Sequence, residues 1–405
     1  MNDNKPDEEL KGLKMKDSEK NLSFIFFGII IATIKLWTYY RQGGNTMTRK
    51  YVLTINPGST STKVALFENE ENIKQNNLSH SPEEIGRFET IADQYQYRKS
   101  IILDWLESEN VKTEELKAVV GRGGPLKSMP SGTYKVTPAM VEDLKIGIQA
   151  QHASNLGGII SKSIADEEGI EAFIVDPVSV DEFDEIARVS GIPEIERKSL
   201  VHALNIKAVA YILAKEKGVD LEDLNLIVAH LGGGISVVPI RKNRIIDANN
   251  ANDMGPFSPE RAAGLPAGGL AKMCFTGEYT YEELKKKLVG KGGLVAYLAT
   301  NDAREVEKMI LSGDEKAKLV FEAMGYQISK EIGASAAVLG GKVDYVVLTG
   351  GLAHSKRLTA YIEEHVGFVA PVVVKPGEDE MWALNQGYLR VLSGEAVKIY
   401  EDEVE

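Results

Sequence analysis

Two short segments carry the residue types that a polyphosphate needs. Asn56 to Lys63 reads NPGSTSTK. A phosphate chain requires close backbone approach and many N–H donors; glycine permits the first by lacking a Cβ, and hydroxyls add further hydrogen bonds. Asn56, Gly58, Ser59, Thr60 and Ser61 are therefore candidate ligands to phosphate or to metal-bound water, with Lys63 free to point to solvent. Alone, this segment reads equally well as an ordinary hairpin turn. The second segment, His230 to Ser236 (HLGGGIS), supplies His230, Gly232, Gly233, Gly234 and Ser236. A third, Leu348 to Ser355 (LTGGLAHS), brings Gly350 and Gly351 to the end of an apolar run, where a double glycine can lie flat against adenine or ribose. None is a Walker loop, because GxxxxGK[ST] does not occur, and no GxGxxG follows a strand.

The elements that must hold these segments repeat. From Tyr51 the chain reads strand (YVLTIN), Gly/Ser turn, strand (KVALFEN) and a third strand (NIKQNNL). The layout returns 174 residues later as LIVAHL, GGGIS, VVPIRKN and RIIDAN, aligning Asn56 with His230 and Gly58 with Gly232. Two such units predict facing α/β domains with a ligand cleft between them. Helices are expected near 156–168, 200–216, 316–339 and 381–392, and one more after Thr137, an N-cap followed by Pro138 at N1. AFIVD (172–176) and DYVVLTGG (344–351) read as apolar strands whose ends open into the cleft.

Bulk properties exclude several classes. The 405 residues are 43% hydrophobic and 26% charged, as in an ordinary globular protein, and the formal charge of −12 disfavours nucleic acid and anionic membrane surfaces as partners. The single cysteine, Cys274, rules out an intramolecular disulfide, fits a reducing cytoplasm and is expected to be a small buried hydrophobe. Residues 1–47 differ from the rest: five lysines precede the apolar run Leu22 to Ile34, which Lys35 interrupts. That run is short of the about 20 apolar residues of a bilayer span, and the basic flank would leave the remaining chain outside the cell, away from ATP. Residues 1–47 are read as an extension outside the fold, with Met47 a natural start, rather than as a membrane anchor.

The three glycine-rich segments, in this order and spacing, resemble the two phosphate motifs and the adenosine motif of the acetate and sugar kinase, heat-shock chaperone and actin superfamily. Within it the chain from about Arg49 onward is similar to the acetate/butyrate kinase family, and to its butyrate-using branch most of all. The segments carrying that resemblance are GRGGPL with Arg122, QHASNLGG with His152 and Asn155, IVDPVSVDEF with Asp176 and KSLVH with His202. The resemblance implies duplicated actin-like (ribonuclease H-like) domains. The first is 48–195, completed by a C-terminal helix at about 381–400; the second, nucleotide-binding, is 196–380. It implies Arg122, Asp176 and His202 as catalytic residues, His152 on the substrate side, ATP and Mg2+ as cofactors, and a homodimer or higher homo-oligomer. Asp176 and Glu380 are the expected metal ligands, because His354 stands where acetate users carry a metal-associated glutamate. Their second arginine aligns with Ala267, with Arg261 the alternative.

The expected reaction is ATP + butanoate giving ADP + butanoyl phosphate. A carboxylic acid with a pKa of ~4 to 5 is already an anion at neutral pH, so no general base is required. In-line positioning and positive charge around the phosphoryl group are. Arg122 offers a fixed, always charged fork, His202 and His230 offer donors or charge, and Asp176 suits magnesium better than proton transfer. Gly124 and Val201, where acetate users have bulkier residues, are expected to enlarge the acyl pocket. The alternatives are isobutyrate or acetate as substrate, a sugar kinase, and an actin- or chaperone-like ATPase. The last is disfavoured because only one further helix follows the adenosine motif.

Overall fold

The computed structural model describes residues 49–404, so the expectations for 1–47 lie outside the described residues. Lys50–Glu405 forms one compact unit. Its first sheet contains β1 (Tyr51–Pro57), β2 (Ser61–Glu68), β3 (Glu71–Ser79), β4 (Leu116–Arg122), β5 (Thr133–Lys135), β6 (Glu171–Val175) and β12 (Lys398–Ile399), in the order β12-β5-β6-β4-β1-β2-β3. β1 and β4 are near-continuous apolar runs and lie centrally, parallel to each other and buried. The polar β3 lies at the edge, exposed along its length. Helices α1 (Tyr95–Ser108) and α2 (Asn155–Glu168) join Leu53, Ile55 and Val119 in one core. A Cβ at Gly121 would stand 2.2 Å from the Gly157 carbonyl, so α2 meets β4 backbone to backbone. This close approach fixes the end of β4, which carries Arg122.

The second sheet contains β7 (Asn225–Leu231), β8 (Ile235–Arg241), β9 (Arg244–Ile245), β10 (Tyr345–Gly350) and β11 (Val372–Pro376), in the order β11-β10-β7-β8-β9. That order reproduces β6-β4-β1-β2-β3, with the same antiparallel hairpin and parallel neighbour. The duplication legible in the glycine turns therefore extends through five strands. Helix α3 (Ala203–Lys217) covers one face with Ile206, Val209, Ala210 and Leu213. Helix α4 (Glu315–Val338) covers the other with Val320, Met324, Ile328 and Ile332, one apolar stripe at helical spacing. Each such side chain contributes about 1.5–3 kcal/mol on full burial.

Helix α5 (Glu380–Leu392) follows the second sheet in sequence but packs on the first. Met381, Ala383 and Leu384 pack with Val52, Ala65 and Phe67. A Cβ at Gly387 would lie 2.3 Å from Val175, and β12 then pairs in parallel with β5. The Asp379 side chain caps α5 by accepting from the Trp382 amide at 2.9 Å. This return places the segment Glu378–Glu380 beside the ends of β1, β4 and β7.

Two local expectations change. The helix expected from residue 200 begins at Ala203, leaving His202 as its N-cap residue with ψ 58°, outside the regular turn and free to face the cleft. Cys274 is exposed, because the helix Ala267–Cys274 buries none of its residues. Among the described residues no helix is long and apolar enough to cross a membrane.

Candidate active site

Asn56, Arg122, Asp176 and His230 sit within one residue of the C-terminal ends of β1, β4, β6 and β7, where open α/β sheets place their ligands. Arg122, Asp176, His202, His230, Glu378 and Glu380 line one small cavity. Arg122 donates to Glu380 Oε1 at 2.5 Å, and Glu380 Oε2 accepts from the Asn56 amide. Arg122 also reaches Asn56 Oδ1 at 3.5 Å. His230 approaches Glu378 Oε1 at 3.3 Å through Nε2, while its Nδ1 meets Asn205 Oδ1 at 2.8 Å. His202 bonds through Nδ1 to Ser236 Oγ at 3.0 Å and stacks on His230 with ring centroids 4.0 Å apart. Burial, then the neighbouring His230, Arg261 and Arg122, hold the His202 imidazole well below its ordinary range. At neutral pH it is an uncharged ring.

Asp176 closes the rear wall. Its Oδ1 accepts from the Gly132 amide at 2.8 Å and its Oδ2 lies 3.6 Å from Arg390 on α5. Burial pushes its carboxyl up, against the pull of Arg390, Lys207 and the Gly132 amide. The residue is held at φ 39°, a left-handed conformation uncommon outside glycine, which turns the carboxyl inward from the end of β6.

A larger cleft of about 740 Å³ adjoins Glu378 and is lined by Gly232, Gly233, Gly351 and His354, with Asn301 and Arg304 opposite. Its size suits a nucleotide. Gly350, buried just before the cleft-lining Gly351, is obligatory: φ is 89°, and a Cβ there would stand 2.5 Å from the Leu231 carbonyl. Gly234 likewise admits the Arg261 guanidinium, since a Cβ would lie 2.2 Å from its Nη1. The hairpin Gly58–Ser61 faces outward from the first sheet, with Ser59 and Thr60 exposed.

The residues expected around the acyl group are not gathered in the same way. A Cβ at Gly124 would meet Asn155 Oδ1 at 2.2 Å, so the space beside this glycine is taken up by the start of α2. Val201 is 3% exposed, inside the core with Val180 and Phe183. His152 is exposed, its Nδ1 bonded to the Ser154 hydroxyl at 2.8 Å. Ala267 is exposed at the start of its helix, away from the role of a second arginine, whereas Arg261 lies against the glycine loop. Sequence reasoning passed over Glu378 and Asn205. The acidic run GEDE at the start of α5 was the available signal for the first; for Asn205, a polar residue one helical turn from His202 within the apolar first turns of α3 was the signal.

Two copies of one sheet order facing a glycine-lined cleft define a phosphotransferase-type nucleotide fold, and comparison with known proteins narrows it. Residues 196–369 match the model of the Acetokinase family. Butyrate kinase 2 of Clostridium acetobutylicum is 55% identical over 345 residues, 85% of this chain and 97% of that protein. Probable butyrate kinase 2 of Caldanaerobacter subterraneus is 55% identical over 350 residues, 86% of this chain and 99% of that one. Among solved structures, Porphyromonas gingivalis acetate kinase superposes with a TM-score of 0.71 at 19% identity, covering 85% of this chain and 100% of that one. A Francisella tularensis propionate kinase gives 0.65 at 18% identity, covering 84% and 98%. The chain belongs to the acetate/butyrate kinase family.

Proposed function

We propose that this chain transfers the γ-phosphoryl group of ATP to butanoate, forming butanoyl phosphate and ADP. The observation that carries this is the 55% identity to a butyrate kinase across 97% of that protein's length. A butanoate oxygen attacks the γ-phosphorus, the new O–P bond forms, and the bond from that phosphorus to the β–γ bridging oxygen breaks, leaving with ADP. Butanoate is anionic before it reacts, so the side chains need only align it and stabilise charge. Arg122, the neutral His202 and His230 face the equatorial phosphoryl oxygens. Asn56 and the hairpin Gly58–Ser61 hold phosphate from the first sheet. Gly232, Gly233, Gly234 and Ser236 hold it from the second, with Gly350 and Gly351 beneath the nucleoside. Arg261 supplies the second fixed cation.

Magnesium fits these residues. Asp176 and Glu380 line the same cavity, and magnesium is usually held by one or two carboxylates together with substrate phosphates. When bound it neutralises phosphate charge in the transition state. To serve it, Glu380 has to release Arg122, and that release also frees the guanidinium for the phosphoryl group.

The division into a first domain of 48–195 completed by α5 and a second of 196–380 follows the two sheets, and their closure would exclude water. Action in the cytoplasm fits the ATP requirement. Self-association is favoured by the helix Ala267–Cys274, which buries nothing, and by Phe275, which is 91% exposed; light scattering tests it. The test of the activity is a hydroxylamine trap with ATP, Mg2+ and acetate, propionate, butanoate, isobutyrate or glucose. Acyl hydroxamate is expected with the highest kcat/KM for butanoate. None from any acid would refute the reading.

A further inference from the structure

The hairpin Gly58–Ser61 rests on a buried arginine. Arg98, on the first turn of α1, is 1% exposed. Its Nη1 donates to the carbonyls of Gly58 at 2.8 Å and Ser61 at 3.1 Å and to Thr62 Oγ1 at 3.1 Å. Its Nη2 donates to the Ser59 carbonyl at 3.1 Å, and Gln94 Oε1 accepts from Nε and Nη2 at 3.1 and 2.8 Å. The remaining carbonyl of the turn, Thr60, accepts from the His80 amide at 2.8 Å. All four carbonyls of the turn are thereby drawn inward. Among the described residues the amides of Ser59 and Thr60 have no protein acceptor, so they are left for a ligand outside.

The charge arrangement is as unusual as the geometry. An arginine stays protonated in proteins, and a buried cation is costly unless paired. Every partner of Arg98 is a neutral oxygen, and among the described residues no carboxylate forms an ion pair with it. Lys99, its neighbour in sequence, is by contrast paired with Glu167 at 2.6 Å. A full positive charge therefore lies directly beneath a turn whose amides face outward.

We infer that Arg98 is a positioning residue for the phosphate chain: it holds the turn carbonyls inward and supplies, from beneath, a positive charge that bound phosphate neutralises. Nothing in the spacing of NPGSTSTK indicates this residue, which lies on another element. The inference rests on the nucleotide-binding part of the function proposed above, and not on the identity of the acid.

The test measures dissociation constants of ATP, ADP, AMP and adenosine for the full-length wild-type protein and for Arg98→Gln, in the presence of Mg2+. Gln keeps part of the hydrogen bonding and removes the charge. The expected result is a loss that grows with phosphate number, at least tenfold for ATP and under twofold for adenosine. Hydrogen exchange in the peptide spanning residues 57–62 should rise in the same variant. If Arg98→Gln does not fold, Arg98→Lys carries the test. It retains the charge without the fork, and a smaller loss, still confined to the phosphorylated ligands, is required. Equal weakening of adenosine and ATP, an unchanged ATP constant, or failure of the wild-type protein to bind ATP would overturn the inference. Tight ATP binding without any acyl hydroxamate would instead sink the carboxylate reading and leave Arg98 its role.

Discussion

His202 and His230 stack with ring centroids 4.0 Å apart and planes 15° from parallel, each pinned through Nδ1, by Ser236 and by Asn205 respectively. Two imidazolium rings at that separation would repel, and burial already disfavours charge on His202. His202 therefore works as a neutral donor. His202→Ala should lower kcat by about 10²–10³-fold, the cost of one preorganised donor. Steady-state kinetics check the loss, and an NMR titration should show His202 taking up its proton well below the ordinary imidazole range.

Arg122 and Glu380 form a half-buried ion pair at 2.5 Å. Arg122→Ala should reduce kcat by about 10³-fold or more, as expected for a cation that meets transition-state charge. Arg122→Lys should recover only part, because a point charge does not replace the fork. Glu380→Gln frees Arg122 but removes a carboxylate, so the Mg2+ concentration needed for half-maximal rate should rise while ATP binding without metal improves. Titrating both nucleotide and Mg2+ separates the two effects.

Val201 immediately precedes His202 and is packed in the core. Val201→Phe therefore overpacks it, costing about 1–3 kcal/mol of stability, and displaces His202. The expected outcome is a lower kcat for acetate, propionate and butanoate alike, with a lower urea midpoint. A selective gain for acetate would restore Val201 to the acyl pocket.

His80 is 3% exposed and bonded to Thr62 Oγ1 at 2.8 Å. Burial first, and the Arg98 charge second, push its imidazole down to about 4. In the unfolded chain it takes up a proton near pH 6.5, so the unfolded state binds more protons between those values. Stability is then flat above about pH 6.5 and falls as the pH drops toward about 4. His80→Asn should make that slope shallower, as read from urea midpoints at pH 7.5, 6 and 5.

Legibility in the sequence followed locality. Strand–turn–strand units announced themselves through apolar runs broken by glycine, and the duplication was visible because the same types recur at matched positions, Asn56 with His230 and Gly58 with Gly232. Arg122, Asp176 and His202 were reached through short motifs, and Glu380 only as a replacement for the glutamate that His354 displaces. What the sequence hid depends on side chains converging from distant segments. Glu378 matters because α5 returns to the first sheet, and Arg98 because α1 passes beneath the turn. Gly124 shows the converse: a missing side chain reads as space for substrate, while a Cβ there would meet Asn155 Oδ1 at 2.2 Å. A small residue reports that something is close, without saying what.

The return of α5 has a consequence for how the enzyme comes into being. Asn56 and Glu380 are 324 positions apart, and Arg122 and Glu380 are 258 apart. During synthesis the first sheet emerges early, with its arginine and asparagine lacking the carboxylate that joins them. At ribosomal speeds of about 5–20 residues per second, that gap lasts some tens of seconds. The nascent chain thus passes through a long interval in which Asn56 and Arg122 are present without Glu380, and their contact with that carboxylate waits for α5.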